Sequence, residues 1–158
     1  MTWMTVWMFL INTSFWFVCY FGMAWIVRAV PKSLYNQSRW FFKEKFFERC
    51  LYKKINIASW KDKLPEWGKF LNFEKKNLKK ELSIEYIDKF ILETYYAEIG
   101  HLGIAVFGFA CILVNPSSYA LMALIFAIVN FLIQIPFILI QRYNRPRLIR
   151  LRLKYKRT

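Results

Sequence analysis

His101 is the only histidine of the 158-residue chain, and it follows Glu98 by three positions. On a helix these two side chains share a face. A carboxylate accepting from one ring nitrogen fixes the imidazole tautomer and leaves the other nitrogen as a base, the orienting logic of a catalytic dyad. The bland alternative is that the pair bonds internally, or to a neighbouring helix, at the membrane surface. Glu-x-x-His is also the spacing of di-iron carboxylate bundles, but these need a second copy on another helix. With one histidine and neither His-Glu-x-x-His nor Cys-x-x-Cys, the chain is expected to hold no metal. No Ser or Cys stands in a nucleophile setting apart from a weak case at Cys50, so no covalent intermediate is expected.

A second constellation lies further on. Asn130, Gln134 and Gln141 fall within about 40° of one another on a helical wheel, forming one polar stripe in an otherwise apolar segment. Pro136 interrupts the same segment and frees a backbone carbonyl one turn earlier, so the stripe suits a cavity lining or a helix contact. Ala120, Ala123 and Ala127 permit close helix approach, which favours the contact. Immediately after comes Gln141-Arg142-Tyr143-Asn144-Arg145-Pro146-Arg147-Leu148. Arg142 and Arg145 present paired planar donors that suit phosphates, and Tyr143 and Asn144 could orient a sugar or carbonyl. A run of Arg after an apolar segment also serves simply to anchor a chain on anionic lipid.

The elements that must position these residues follow from the distribution of charge. All 24 Lys and Arg lie in two stretches, Arg28–Lys89 and Arg142–Arg157, whereas Met1–Val27 and Ile99–Gln141 carry no Lys, Arg, Asp or Glu. That division is the mark of an integral membrane protein with its basic parts on one side. It removes the need to read the net charge of +14 as a nucleic-acid footprint. Three spans are expected, about 3–27, 97–114 and 118–140, in a single domain. The first is about 37 Å long as a helix, enough to cross a hydrocarbon core of about 30 Å. Its length and its uncharged start favour retention over cleavage as a signal peptide. The charge-free part of the second, Ile99–Val114, gives only about 24 Å and must recruit earlier residues or thin the bilayer. Charge bias then orients the chain with the N-terminus outside, 28–96 cytoplasmic, an external turn at Asn115-Pro116-Ser117-Ser118 and a cytoplasmic tail over 142–158. Cys19, Cys50 and Cys111 are an odd set that does not read as a disulfide framework.

Between the first two spans, Ser33–Lys54 places Trp40, Phe47 and Leu51 on one helical face flanked by Lys43, Lys45, Arg49 and Lys53. This pattern suits an interfacial helix or one packed on the rest of the protein. Residues 55–82 read as a structured loop. Ser83 is a helix N-cap, with Leu82 and Ile87 spaced as a hydrophobic staple, so a helix should begin near Ile84 and run without a breaker into the second span. The tail from Leu148 reads as an interfacial anchor.

Trp60-Lys61-Asp62-Lys63, then Glu93-Thr94-x-x-Ala97-Glu98-x-x-His101, then Gln141 to Leu148, in this order and spacing, resemble the glycosyl-4,4'-diaponeurosporenoate acyltransferase family, the staphyloxanthin-pathway enzymes and their bacterial relatives. The resemblance implies transfer of a fatty acyl group to a sugar hydroxyl of a glycolipid, such as a glycosylated carotenoid, in a bacterial cell membrane. Roles within it come from chemistry. His101 is expected to deprotonate the acceptor, with Glu98 orienting it. Lys61, Arg142 and Arg145 are expected to hold an anionic donor, acyl-CoA, as co-substrate, with no bound cofactor. Trp60, Asp62, Glu93, Asn130, Gln134, Gln141, Tyr143 and Asn144 complete the expected substrate contacts. The expected partners are membrane lipid and long-chain substrates, not nucleic acid, with a homo-oligomer left open. The rival reading is a non-enzymatic membrane subunit with a lipid-binding basic tail.

Overall fold

A computed structural model describes residues 3–36, 38–64 and 83–156, and every regular element among them is helical. In chain order these are α1 (Trp3–Ala29), α2 (Phe46–Lys54), α3 (Ile57–Trp60), α4 (Ile84–Phe107), α5 (Cys111–Val114) and α6 (Ala120–Tyr155), with short 3-10 turns at Lys32–Leu34, Gly108–Ala110 and Ser117–Tyr119. Three stretches are long and apolar enough to cross a membrane: Val6–Ala29, Ile84–Val114 and Ser117–Tyr155. The chain is an all-α protein of membrane-spanning type.

The local signals behind these boundaries are visible. Ser83 Oγ accepts from the Tyr86 backbone N–H at 3.1 Å, the N-cap that starts α4 at Ile84. The staple partner Leu82 lies outside the described residues. Because α4 begins there, the second apolar stretch has 31 helical or near-helical residues, so residues before Ile99 are available to lengthen it, one of the two expected alternatives. Pro116 leads into the turn before α6 with φ −58°, which proline supplies without cost.

One expectation is corrected: Ser33–Lys54 is not one helix. Turns and bends occupy Ser38–Lys43, so Trp40 is off the helix, and α2 is confined to Phe46–Lys54. The expected span 118–140 and the expected interfacial tail lie on one helix, because α6 continues through Pro136 and Pro146 to Tyr155. Each proline deletes one backbone bond within the helix.

Contacts group the chain into two compact units, one of residues 1–34 with 95–139 and the other of 35–94 with 140–158. In the first, Cys111, Ala123 and Ala127 form a buried centre with Phe15, Trp16, Phe109 and Ile112 packed against it. Small side chains on α6 let the helices approach closely. The Cys111 thiol donates to the Ala123 carbonyl at 3.3 Å. Asn12 and Asn115 exchange two amide bonds, of 2.9 and 3.0 Å, which tie α1 to the end of α5.

The second unit is organised by buried charge. Glu48, at the third position of α2, accepts from the Lys45 backbone N–H at 3.0 Å with one oxygen. Its other oxygen receives Arg142 Nε at 2.7 Å and Nη2 at 2.6 Å. Arg142 also donates to the Phe41 carbonyl at 3.1 Å. Arg145, 2% exposed, donates to Thr94 Oγ1 and to the Thr94 carbonyl, each at 3.0 Å. Tyr143 packs edge-on against Tyr52, with ring centroids 5.3 Å apart. Arg152 pairs with Asp88 at the surface. Removing one partner of a buried ion pair strands the other charge, whereas an exposed pair contributes little. Arg142→Ala is therefore expected to cost about 3–5 kcal/mol and Arg152→Ala at most about 1 kcal/mol. Unfolding of the detergent-solubilised protein checks both, and equal effects would contradict this ordering.

A candidate active site around His101

In the first unit, α1, α4 and α6 each contribute to one polar cluster. Its fixed point is a backbone carbonyl. Ile104 lies in the last turn of α4, just before the backbone tightens into the 3-10 turn at Gly108, where helical carbonyls have accepting capacity to spare. Asn130 Nδ2 on α6 donates to the Ile104 oxygen at 3.1 Å. That bond commits the Asn130 amide: its nitrogen faces α4, so its Oδ1 must accept. It accepts from the Tyr20 hydroxyl of α1 at 2.9 Å and from Gln134 Nε2 at 3.1 Å. Gln134 Nε2 also donates to the Tyr20 oxygen at 3.0 Å.

Gln134 is then committed as well. Both of its amide hydrogens are engaged, and its Oε1, an acceptor only, lies 2.7 Å from Nδ1 of His101. The proton in that contact has to come from the imidazole. The cluster therefore selects the Nδ1–H tautomer and leaves Nε2 as the basic nitrogen, which has no hydrogen-bond partner among the described residues. Phe137, one helical turn beyond Gln134, stacks on the imidazole at 4.9 Å with 14° between the planes. The ring is thus fixed in plane by stacking and in rotation by the hydrogen bond.

The hydrogen bond to the ring differs from the one expected within the Glu98–His101 pair. The group that orients His101 is Gln134 of α6, not Glu98 one turn away on α4. Glu98 is itself buried beside it in sequence. Asn130 and Gln134 are joined directly, whereas Gln141 is half-buried in the second unit. Two members of the cluster were not singled out from sequence. Phe137 falls on the same stripe as Asn130 and Gln134. Tyr20 is a hydroxyl in a charge-free run, and that was its only signal.

The other expected site residues lie in the second unit. Arg142 and Arg145, expected to hold the donor, have their guanidinium groups bonded to Glu48 and Thr94. Tyr143 is buried against Tyr52 and capped by Arg147, whose Cζ lies 3.3 Å from its ring centroid. Trp60 donates its indole N–H to the Ile55 carbonyl at 2.9 Å. Lys61 pairs with Asp62 at 2.7 Å. Glu93 and Asn144 are half-buried on α4 and α6. Among the described residues no three His, Cys, Asp or Glu side chains converge as a metal site.

The cluster requires close packing at Gly108. A Cβ there would stand 2.6 Å from Asn130 Nδ2 and 3.2 Å from the Trp16 ring, whereas one at Gly100, on α4 beside His101, would meet nothing within 4 Å. Gly108→Ala is expected to displace Asn130 and lower both thermal stability and any activity that depends on His101. Gly100→Ala should be neutral or stabilising by up to about 1 kcal/mol, because alanine loses less backbone entropy in a helix interior. Melting curves of the two variants check the opposite signs.

Residues 31–154 match the family described as glycosyl-4,4'-diaponeurosporenoate acyltransferase. The chain is similar to the glycosyl-4,4'-diaponeurosporenoate acyltransferase of Staphylococcus aureus (strain MRSA252), at 28% identity over 145 residues, covering 88% of this chain and 84% of the relative. It is also similar to the protein of that name from Staphylococcus haemolyticus (strain JCSC1435), at 30% identity over 148 residues, covering 88% and 81%. No solved structure matches it. With three helices suited to a membrane and a family match over most of its length, the chain belongs to the glycosyl-4,4'-diaponeurosporenoate acyltransferase family.

Proposed function

We propose that this protein transfers a fatty acyl group from a cytoplasmic thioester donor, acyl-CoA, to a sugar hydroxyl of a membrane glycolipid, with His101 Nε2 as the general base. The relatives' name supplies the acceptor class, a glycosylated diaponeurosporenoate. The observation that carries the chemistry is the 2.7 Å contact from His101 Nδ1 to Gln134 Oε1, which in the neutral ring makes Nε2 the nitrogen able to accept a proton. As the acceptor oxygen attacks the thioester carbonyl, Nε2 takes its proton. The C–O ester bond forms, the C–S bond breaks, and the imidazolium returns the proton to the departing thiolate.

A bilayer sets the terms for such a base. Ionisable groups at membrane depth are costly, so a neutral imidazole oriented by a neutral amide is a less expensive resting state than an imidazole beside a carboxylate. Gln134 Oε1 and the face of Phe137 would then stabilise the transient positive charge. The proposed topology puts the N-terminus outside and the basic segments in the cytoplasm, following the distribution of Lys and Arg. An anionic donor would meet cationic side chains of that segment, Lys61 among them.

General-base assistance is worth about 10² to 10⁴ in rate. His101→Ala, purified and folded, is expected to lower kcat by about that factor, read as loss of the product heavier by one fatty acyl residue in a mass-spectrometric assay. Gln134→Leu releases the ring to adopt the other tautomer, and should lower kcat by less while leaving the donor KM near its wild-type value. Wild-type turnover by His101→Ala would remove the base from the scheme.

A further inference from the structure

We propose that the segment from Trp40 through α2 is a docking surface for the anionic lipid face of the bilayer, with its aromatic side chains inserted among the headgroups. The inference rests on a helix built inside-out. The residues that α2 turns inward are Glu48 and Tyr52, 6% and 5% exposed, one helical turn apart. Those it turns outward include Phe46 and Phe47, 84% and 65% exposed, and Trp40 just upstream is 78% exposed. A helix facing water buries its phenylalanines and exposes its carboxylates. This one does the reverse, so its outer face is shaped for something less polar than water.

The occupant is identified by charge and by tether. Between Arg39 and Lys54 there are six basic side chains and two acidic ones. Both acids are already neutralised: Glu44 by Arg49 at 3.0 Å, and Glu48 by Arg142. The cations left on the patch, Lys43, Lys53 and Lys54 among them, are exposed. Lys45 shows how the two kinds of side chain combine. Its ammonium lies 3.9 Å from the Trp40 ring centroid and donates to the Trp40 carbonyl at 2.7 Å, an aromatic and a cation held as one unit. Tryptophan with flanking cations is the composition that settles at a membrane interface, and basic clusters select anionic headgroups. Trp40 also follows the last residue of α1 by only eleven positions, so an extended link would keep it within roughly 40 Å of the end of a membrane-spanning helix. The bilayer is the one apolar, anionic surface that this tether always keeps within reach.

The test uses the full-length protein in vesicles containing anionic phospholipid. Subtracting the emission of Trp40→Phe from that of the wild type isolates the Trp40 signal. It is expected to be quenched by lipids brominated near the headgroup and shielded from aqueous iodide. In purely zwitterionic vesicles the lipid quenching should fall several-fold. Phe46→Trp, which adds a reporter on the helix itself, should behave in the same way and covers the case in which Trp40→Phe does not fold. A Trp40 signal open to iodide and indifferent to brominated lipid overturns the proposal. So does a signal shielded from both that changes with protein density in the bilayer, which would mean that a second copy covers the patch. Equal quenching in anionic and zwitterionic vesicles would overturn the choice of anionic lipid.

Discussion

Inside a bundle of apolar helices a polar atom has no water to bond with, so each must find its partner among the others. The cluster around His101 is what that constraint produces when followed atom by atom. One backbone carbonyl, at Ile104, decides which way Asn130 faces; Asn130 decides which way Gln134 faces; Gln134 decides which nitrogen of His101 carries the proton. The chain of dependence ends on His101 Nε2, which has no hydrogen-bond partner among the described residues. Close approach is a precondition, met by Gly108 beneath Asn130 and by buried Ala123 and Ala127 on the same helix. Interhelical hydrogen bonds of this kind average about 0.6 kcal/mol each, so their effect on orientation outweighs their effect on stability.

The second unit applies the same rule to full charges. Glu48 is buried against the half-buried Arg142, and the remaining carboxylate oxygen is satisfied by the backbone at the start of α2. Such a pair contributes little net stability relative to apolar residues of the same size, but it tolerates no loss of one partner. It fixes which face of α2 turns inward. The outward display of Phe46 and Phe47 is a consequence of that choice, because a nine-residue helix that buries Glu48 and Tyr52 has no second face to offer its aromatics.

Where structure is decided by neighbours in sequence, it could be read from the sequence. Ser83 caps the helix that begins at Ile84, the Asn-Pro-Ser-Ser turn separates two long apolar stretches, and the uncharged first run is one helix, as expected from local chemistry. Where distant residues decide, the reading failed in identifiable ways. Trp40 and Phe47 share a helical wheel position only if the backbone between them is helical, and it turns at Ser38–Lys43 instead. Pro136 was expected to interrupt the last apolar segment by freeing a carbonyl, and α6 runs on through it and through Pro146. The partners that Arg142 and Arg145 meet in the fold, Glu48 and Thr94, were not legible either, because a guanidinium presents the same paired donors to a phosphate, a carboxylate or a carbonyl. The sequence identifies the donor and leaves its acceptor open.

The exchange of Glu98 for Gln134 as the group that holds His101 is the most instructive of these differences. Spacing on one helix made the carboxylate the obvious partner, while the amide that does the work is 33 positions away and could be assigned only once α4 and α6 were seen side by side. On the proposed chemistry the two partners are not equivalent. A carboxylate would raise the basicity of the ring but would also add a permanent charge at membrane depth. An amide oxygen fixes the tautomer as effectively and brings no charge of its own to the ring. A base of this kind has modest intrinsic strength, and its advantage must come from orientation, which is what the carbonyl, the two amides, the tyrosine and the stacked phenylalanine together provide.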